Sequence, residues 1–228
     1  AEQTYFKDVT TSLGLDFIHH ENDYIEFKTD RLTLKQSSKS GAKMAVSDVN
    51  NDGIDDVFIG GAAGQSDQLF LSKADGKYYN SNNECFVKDK DFETTGCVFF
   101  DADADGDKDI YVVSGGSELS FGAPKLMDRL YINYGNGNFR KAPQGALPEA
   151  YSNGSCVAAG DYDGDGDEDL FVGGGNVSGN YPLSALGGIL RNDSNPKTGA
   201  VKFTVVTKEV NPALRQAGLI TGALWANI

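Results

Sequence analysis

Apolar residues along this chain fall in short runs, among them Val57-Phe58-Ile59, Leu69-Phe70-Leu71, Ile110-Tyr111-Val112-Val113, Leu130-Tyr131-Ile132 and Leu170-Phe171-Val172. Polar segments rich in glycine, asparagine and aspartate separate them. Runs too short for an amphipathic helix, rich in β-branched and aromatic residues and closed by turn formers, predict strands. The runs also repeat. Residues 44–60, 97–113 and 157–173 align with offsets of 53 and 60 residues. Each reads as an apolar strand, an Asp-rich loop and a second apolar strand leading into glycines (Gly60-Gly61, Gly115-Gly116, Gly173-Gly174-Gly175). Self-similarity at this period marks a repeat architecture.

The likeness continues downstream. Residues 68–71, 129–132 and 188–190 predict a third strand in each unit. Asp75-Gly76 and Asn136-Gly137 then predict two-residue type I′ hairpins, whose central residues both need positive φ. Tyr78 and Phe139 open fourth strands, and in the third unit residues 195–199 lead to Phe203. Four antiparallel strands in about 50 to 60 residues is the size of a propeller blade, packed on both faces against its neighbours. The expected fold is therefore all-β, a β-propeller of four-stranded antiparallel blades. Its parts are a lead-in with an outer strand at 1–43, repeats at 44–96, 97–155 and 156–217, and the start of a fourth repeat at 218–228. The outer strand is expected because Phe6-Lys7-Asp8-Val9-Thr10, followed by Gly14-Leu15, parallels residues 203–207, followed by Gly218-Leu219. Residues 223–227 parallel a strand entering a metal loop. Since about four to eight blades close a ring, these three to four blades are expected to form an incomplete one.

Each loop carries oxygen-bearing side chains at positions 1, 3, 5 and 9 and glycine at position 6. The first has Asp48, Asn50, Asp52 and Asp56; the second Asp101, Asp103, Asp105 and Asp109; the third Asp161, Asp163, Asp165 and Asp169. Alternate residues of a tightly curled loop point to its centre, and the carbonyl of position 7 (Ile54, Asp107, Asp167) can add a further oxygen. Hard oxygen ligands with several carboxylates suit Ca²⁺, which accepts irregular geometry, better than Mg²⁺, and without Cys or His they do not suit zinc. An EF-hand opens in the same way but needs Glu at position 12, where this chain has Ile59, Val112 and Val172. Acidic surface turns are the plainer alternative, but three aligned copies of mutually repelling carboxylates favour a cation. Three structural Ca²⁺ sites are expected, with the second and third loops binding most tightly because Asn50 removes one charge from the first.

The charge distribution agrees. The formal net charge is −13, and the three loop windows hold 15 of the 33 acidic residues with one Lys, leaving the rest of the chain close to neutral. Nothing here would release phosphate counterions, so nucleic acid is not an expected partner. No stretch approaches the roughly 20 apolar residues of a membrane span, and no signal-peptide core follows Ala1, so a soluble protein with any export signal removed is expected. Cys85, Cys97 and Cys156 have no metal-like spacing; buried thiols and a Cys85–Cys97 bridge both fit them. Phe99, Phe100, Tyr111, Phe171 and Trp225 are read as inter-blade core. His19-His20 is read as packing or surface, and no nucleophile motif or phosphate loop is present. Asn153, Asn176 and Asn192 each open a glycosylation pattern that matters only in a eukaryotic secretory host.

The three D-x-[DN]-x-D-G-x-x-D loops, the segments Phe58-Ile59-Gly60-Gly61-Ala62 and Phe171-Val172-Gly173-Gly174, and the stretches 128–133 and 135–139 together resemble the FG-GAP or VCBS repeat β-propellers. That group includes the integrin α-subunit propeller and relatives of cartilage acidic protein with the ASPIC/UnbV domain. The resemblance covers residues 40–228 and implies rings of about seven blades, structural calcium in loops on one face, and adhesion or ligand binding outside the cytoplasm. The expected function is a non-catalytic, calcium-binding module of a secreted, periplasmic or cell-surface protein that binds a protein or glycan. A polysaccharide lyase-type enzyme and a structural spacer are the alternatives. Exposed blade edges are expected to favour self-association.

Overall fold

The computed structural model describes residues 5–33, 36, 38, 39, 41–150 and 152–226. Among these residues twelve strands form three four-stranded sheets, each an antiparallel meander in chain order. The first sheet holds β1 (Met44–Ser47), β2 (Asp56–Ile59), β3 (Gln68–Ser72) and β4 (Tyr78–Asn80). The second holds β5 (Glu93–Phe100), β6 (Asp109–Gly115), β7 (Arg129–Asn133) and β8 (Phe139–Lys141). The third holds β9 (Gly154–Gly160), β10 (Asp169–Gly174), β11 (Gly188–Asn192) and β12 (Phe203–Val205). The opening strands β1, β5 and β9 lie side by side. This is the expected blade architecture, and among the described residues no barrel closes.

Alternation along β6 explains how the sheets stack. Successive side chains of a strand point to opposite faces, and every residue of β6 is buried. Ile110 and Val112 join Val49, Phe58, Leu69, Leu71, Phe86, Tyr131 and Phe139 in the core against the first sheet. Tyr111 and Val113 join Phe100, Ala102, Leu130, Ile132, Leu170, Leu190 and Phe203 against the third. Phe86 reaches the first core from a short helix, α2 (Glu84–Lys88), and meets Phe58 and Tyr131 edge to face at 5.4 and 5.0 Å. Trp225 lies over the third sheet beside Gly160 and donates to the Ala158 carbonyl at 3.1 Å. The glycines ending the second strands are places of close backbone approach. A Cβ on Gly61 would lie 2.2 Å from the Gln65 carbonyl oxygen, and one on Gly174 2.1 Å from that of Ala185.

Four expectations need correcting or completing. Asn136-Gly137 forms the expected I′ turn, with φ of 56° and 71° and Asn138 N–H donating to the Gly135 carbonyl. Asp75-Gly76 does not: only Gly76 has positive φ, and its N–H closes a turn onto the Lys73 carbonyl, so the αL residue follows an ordinary turn as a bulge. The N-terminal outer strand is absent among the described residues. Phe6 is 94% exposed, and the chain instead forms a helical turn, α1 (Thr10–Leu13), matching α3 (Thr207–Val210) after β12. Each sheet already carries its own fourth strand, so residues 5–9 find no third strand to pair with. Residues 218–226 likewise form no strand, though they pack on the third sheet, where Ile220 N–H donates to the Gly174 carbonyl at 3.0 Å. Asn227, the last residue of the segment expected to lead into a further metal loop, lies outside the described residues. Cys85, Cys97 and Cys156 are free thiols, and burial pushes Cys85 and Cys97 up to about 11 and about 12.

Candidate metal centre

The three acidic loops join β1 to β2, β5 to β6 and β9 to β10, so they emerge at the same end of the three sheets. Their internal hydrogen bonds repeat. The position 1 carboxylate gathers loop amides: Asp48 accepts from Asp52 and Gly53 at 3.2 and 2.8 Å, and Asp101 from Asp105 and Gly106 at 3.2 and 3.0 Å. Asp161 accepts from Gly164 and Gly166 at 2.7 and 3.1 Å. At position 5, Asp52, Asp105 and Asp165 each accept from the amide two residues on, at 2.9, 2.9 and 3.0 Å. Positive φ occurs at position 6, as the glycines predict, and also at position 4, occupied by Asn51 (59°), Ala104 (59°) and Gly164 (79°). The position 4 requirement is hidden in the sequence because three different residues meet it.

Position 9 opens the second strand and is buried in all three sheets. One oxygen of each carboxylate accepts from the loop's second residue: Val49 to Asp56 at 3.0 Å, Ala102 to Asp109 at 2.8 Å and Tyr162 to Asp169 at 3.0 Å. The other accepts from the last residue of the third strand: Ser72 to Asp56 at 2.7 Å, Asn133 to Asp109 at 2.7 Å and Asn192 to Asp169 at 2.8 Å. Sequence reasoning missed Ser72, Asn133 and Asn192. Their shared place at the end of aligned third strands was the available signal.

The structure brings Asp101, Asp103 and Asp109 together, with ligand oxygens within 4.8 Å of one another, and does the same for Asp161, Asp163 and Asp169. The side chains of Asp105, Asp107, Asp165 and Asp167 stand outside these triads. In the first loop Asn50 aligns with the triads' second carboxylate, and its Oδ1 accepts from the Asp52 amide at 3.0 Å. The Ile54 carbonyl accepts from Ser72 Oγ at 3.4 Å. Burial pushes the Asp109 carboxyl up to about 7 and raises those of Asp56 and Asp169. Burial, with Asp105 and Asp101 nearby, holds Asp103 at about 6.

These residues fit a hard cation. The donors are all oxygen, and Asp103 Oδ1 is buried without a hydrogen-bond partner. A buried carboxylate oxygen with neither donor nor counter-charge is costly, and a cation among the three Asp side chains supplies the missing partner.

Elsewhere, the expected core aromatics Phe100 and Tyr111 are buried between sheets, with Phe99 packed beside the first core. His19 is largely enclosed and sits 3.0 Å from Glu21, while His20 is exposed. Asn153, Asn176 and Asn192 are buried rather than displayed, and the Asn153 and Asn192 amides donate internally, so the glycosylation patterns do not mark exposed acceptors. Among the described residues no helix is long and apolar enough to cross a membrane.

The family model of the FG-GAP-like repeat matches residues 48–112 and again 101–172, so two tandem matches span more than half of the chain and include all three loops. No curated protein matches the chain.

Proposed function

The chain belongs to the FG-GAP-like repeat family, whose repeats are typical of extracellular proteins, and from that premise we propose that it is a calcium-binding β-propeller module acting outside the cytoplasm. Its loops hold Ca²⁺ as a structural cofactor, and it serves without catalysis as a binding or adhesion surface for a protein or glycan. The observation that carries the metal reading is the partnerless Asp103 Oδ1 within the Asp101, Asp103 and Asp109 triad, whose arrangement recurs at Asp161, Asp163 and Asp169.

Asp101, Asp103 and Asp109 would hold one ion and Asp161, Asp163 and Asp169 another. By alignment, Asp48, Asn50 and Asp56 would hold a third. When bound, the cation supplies the positive charge that offsets repulsion among these carboxylates. The protein contributes rigidity: position 1 gathers the loop amides, and position 9 ties the loop to the second and third strands of its blade. Binding that favours the folded state adds to stability by mass action.

Thermal unfolding in chelator, then with Ca²⁺ or Mg²⁺ restored, tests this reading. The expected result is a melting temperature that rises with Ca²⁺, rises much less with Mg²⁺, and responds less to Ca²⁺ in Asp101→Ala and Asp161→Ala. A melting temperature indifferent to Ca²⁺ would reduce the loops to acidic turns and remove the metal from the proposal.

A further inference from the structure

Asn133 and Asn192 do more than cap the position 9 carboxylates of their own blades. The Asn133 side-chain amide, fully buried at the end of β7, donates at 2.8 Å to the Val49 carbonyl in the loop of the preceding blade. The same amide donates at 3.2 Å to the Lys108 carbonyl of its own loop. Asn192, 4% exposed at the end of β11, repeats the arrangement one blade later, donating to Ala102 at 3.2 Å and Glu168 at 3.3 Å. Val49 and Ala102 are the second residues of their loops, whose N–H groups hold Asp56 and Asp109.

The bonds therefore join end to end. Asp169 is bonded to the Asn192 amide N–H, the Asn192 side chain to Ala102, and Ala102 to Asp109. Asp109 is bonded to Asn133, Asn133 to Val49, and Val49 to Asp56. Every residue in this series is buried. Nearer the surface, Glu168 of the third loop accepts from the Asp101 amide at 3.0 Å, and Asn51 of the first loop donates to Asp107 of the second at 2.6 Å. Ser72, in the place of Asn133 and Asn192 in the first sheet, donates from its hydroxyl to Ile54 of its own loop.

We infer that Asn133 and Asn192 are positioning residues through which each blade sets the cation affinity of the loop in the blade before it. The inference rests on the calcium reading above. Shifting the second residue of a loop moves the amide that fixes its position 9 carboxylate, so the brace decides how well the carboxylates are arrayed before an ion arrives. Groups one step removed from a metal's ligands affect affinity by orienting them. Whatever coupling the brace carries is reciprocal by thermodynamic linkage: if an ion in one loop changes the affinity of the next, the converse holds by the same factor.

Calorimetric titration of the full chain with Ca²⁺ provides the test, in a background carrying Asp161→Asn and Asp163→Asn so that the third loop takes no ion. Adding Asn192→Ala, which lies in the third blade, is expected to weaken Ca²⁺ binding at the second loop roughly tenfold, in the range for losing an orienting group. Asn192→Ser, which keeps the residue type that Ser72 supplies in the first sheet, is expected to weaken it similarly while the thermal transition in chelator stays cooperative. Unchanged affinity at the second loop in the Ser variant overturns the inference alone. Absence of Ca²⁺ binding by the unaltered chain overturns the calcium reading and this inference with it.

Discussion

Asp109 concentrates the tension of the loop in one side chain. It is buried, it accepts two short bonds from main-chain amides, and burial still lifts its carboxyl to about 7. Asp109→Ala removes both bonds and leaves two buried amides unsatisfied, so a loss of about 2–4 kcal/mol is expected even in chelator. Urea unfolding in chelator measures this, and a loss below about 0.5 kcal/mol, the range of an ordinary surface change, would show that the clamp is idle without metal. Glu93 is the second such residue. Burial, reinforced by Glu118, Glu21 and Glu26, pushes it up to about 8. A carboxyl whose folded value lies above its unfolded one keeps its proton more tightly in the folded state. Its stabilising contribution is complete below the usual glutamate range and is lost as pH rises through 8. With Ca²⁺ saturating, the melting temperature is expected to fall between pH 5 and pH 8, and Glu93→Gln should flatten that fall. Equal slopes for the two proteins would reject Glu93 as the source.

At the scale of the element, the sheets depend on backbone approach and on one buried ion pair. Gly174 ends β10 where an added Cβ would lie 2.1 Å from the Ala185 carbonyl oxygen, which belongs to backbone and cannot simply rotate away. Gly174→Ala is therefore expected to cost about 1–3 kcal/mol, as overpacking does, whereas Gly53→Ala meets no neighbouring atom and is opposed only by its φ of 83°. Comparing the two variants by chemical denaturation separates steric from conformational cost. Arg129 on β7 is 1% exposed and pairs at 2.7 Å with Asp67, itself 2% exposed, ahead of β3; it also donates to Thr94 on β5 and Ser114 on β6. This network ties the first sheet to the second. Arg129→Met leaves Asp67 buried without its counter-charge, and a loss of about 3–5 kcal/mol is expected. A variant as stable as the parent would mean that the Gly61 amide and the Thr94 hydroxyl, which also donate to Asp67, suffice to hold its carboxylate.

For the whole molecule, two inter-sheet cores share β6, so the sheets are expected to unfold together rather than blade by blade. A single calorimetric transition, coincident by circular dichroism and Trp225 fluorescence, is the expected record. The outer face of the first sheet exposes Met44 (64%) and Val46 (56%) on β1. Sedimentation is expected to detect self-association that Met44→Lys with Val46→Lys suppresses. Particles of the same size from both proteins would exclude this face as the contact.

The periodic features of the chain were legible without a structure because they are local. Strand runs announce themselves by period and composition, and each acidic loop carries its position 1, 3, 5 and 9 side chains and its position 6 glycine within nine residues of sequence. The three sheets and their strand order follow from that repeat, as does the Asn136-Gly137 turn. Other features depend on groups far apart in the chain. The brace between Asn192 and Ala102 spans 90 residues and that between Asn133 and Val49 spans 84. Likewise Phe6 and Trp225 sit in segments that resemble strands, yet a strand forms only where a neighbour offers its hydrogen-bonding edge. Sequence by itself determined which residues can form a blade and gather a cation. Tertiary structure alone decided which of those segments found a partner and how one loop is held by the next, because backbone pairing and buried hydrogen bonds are properties of two surfaces and not of one.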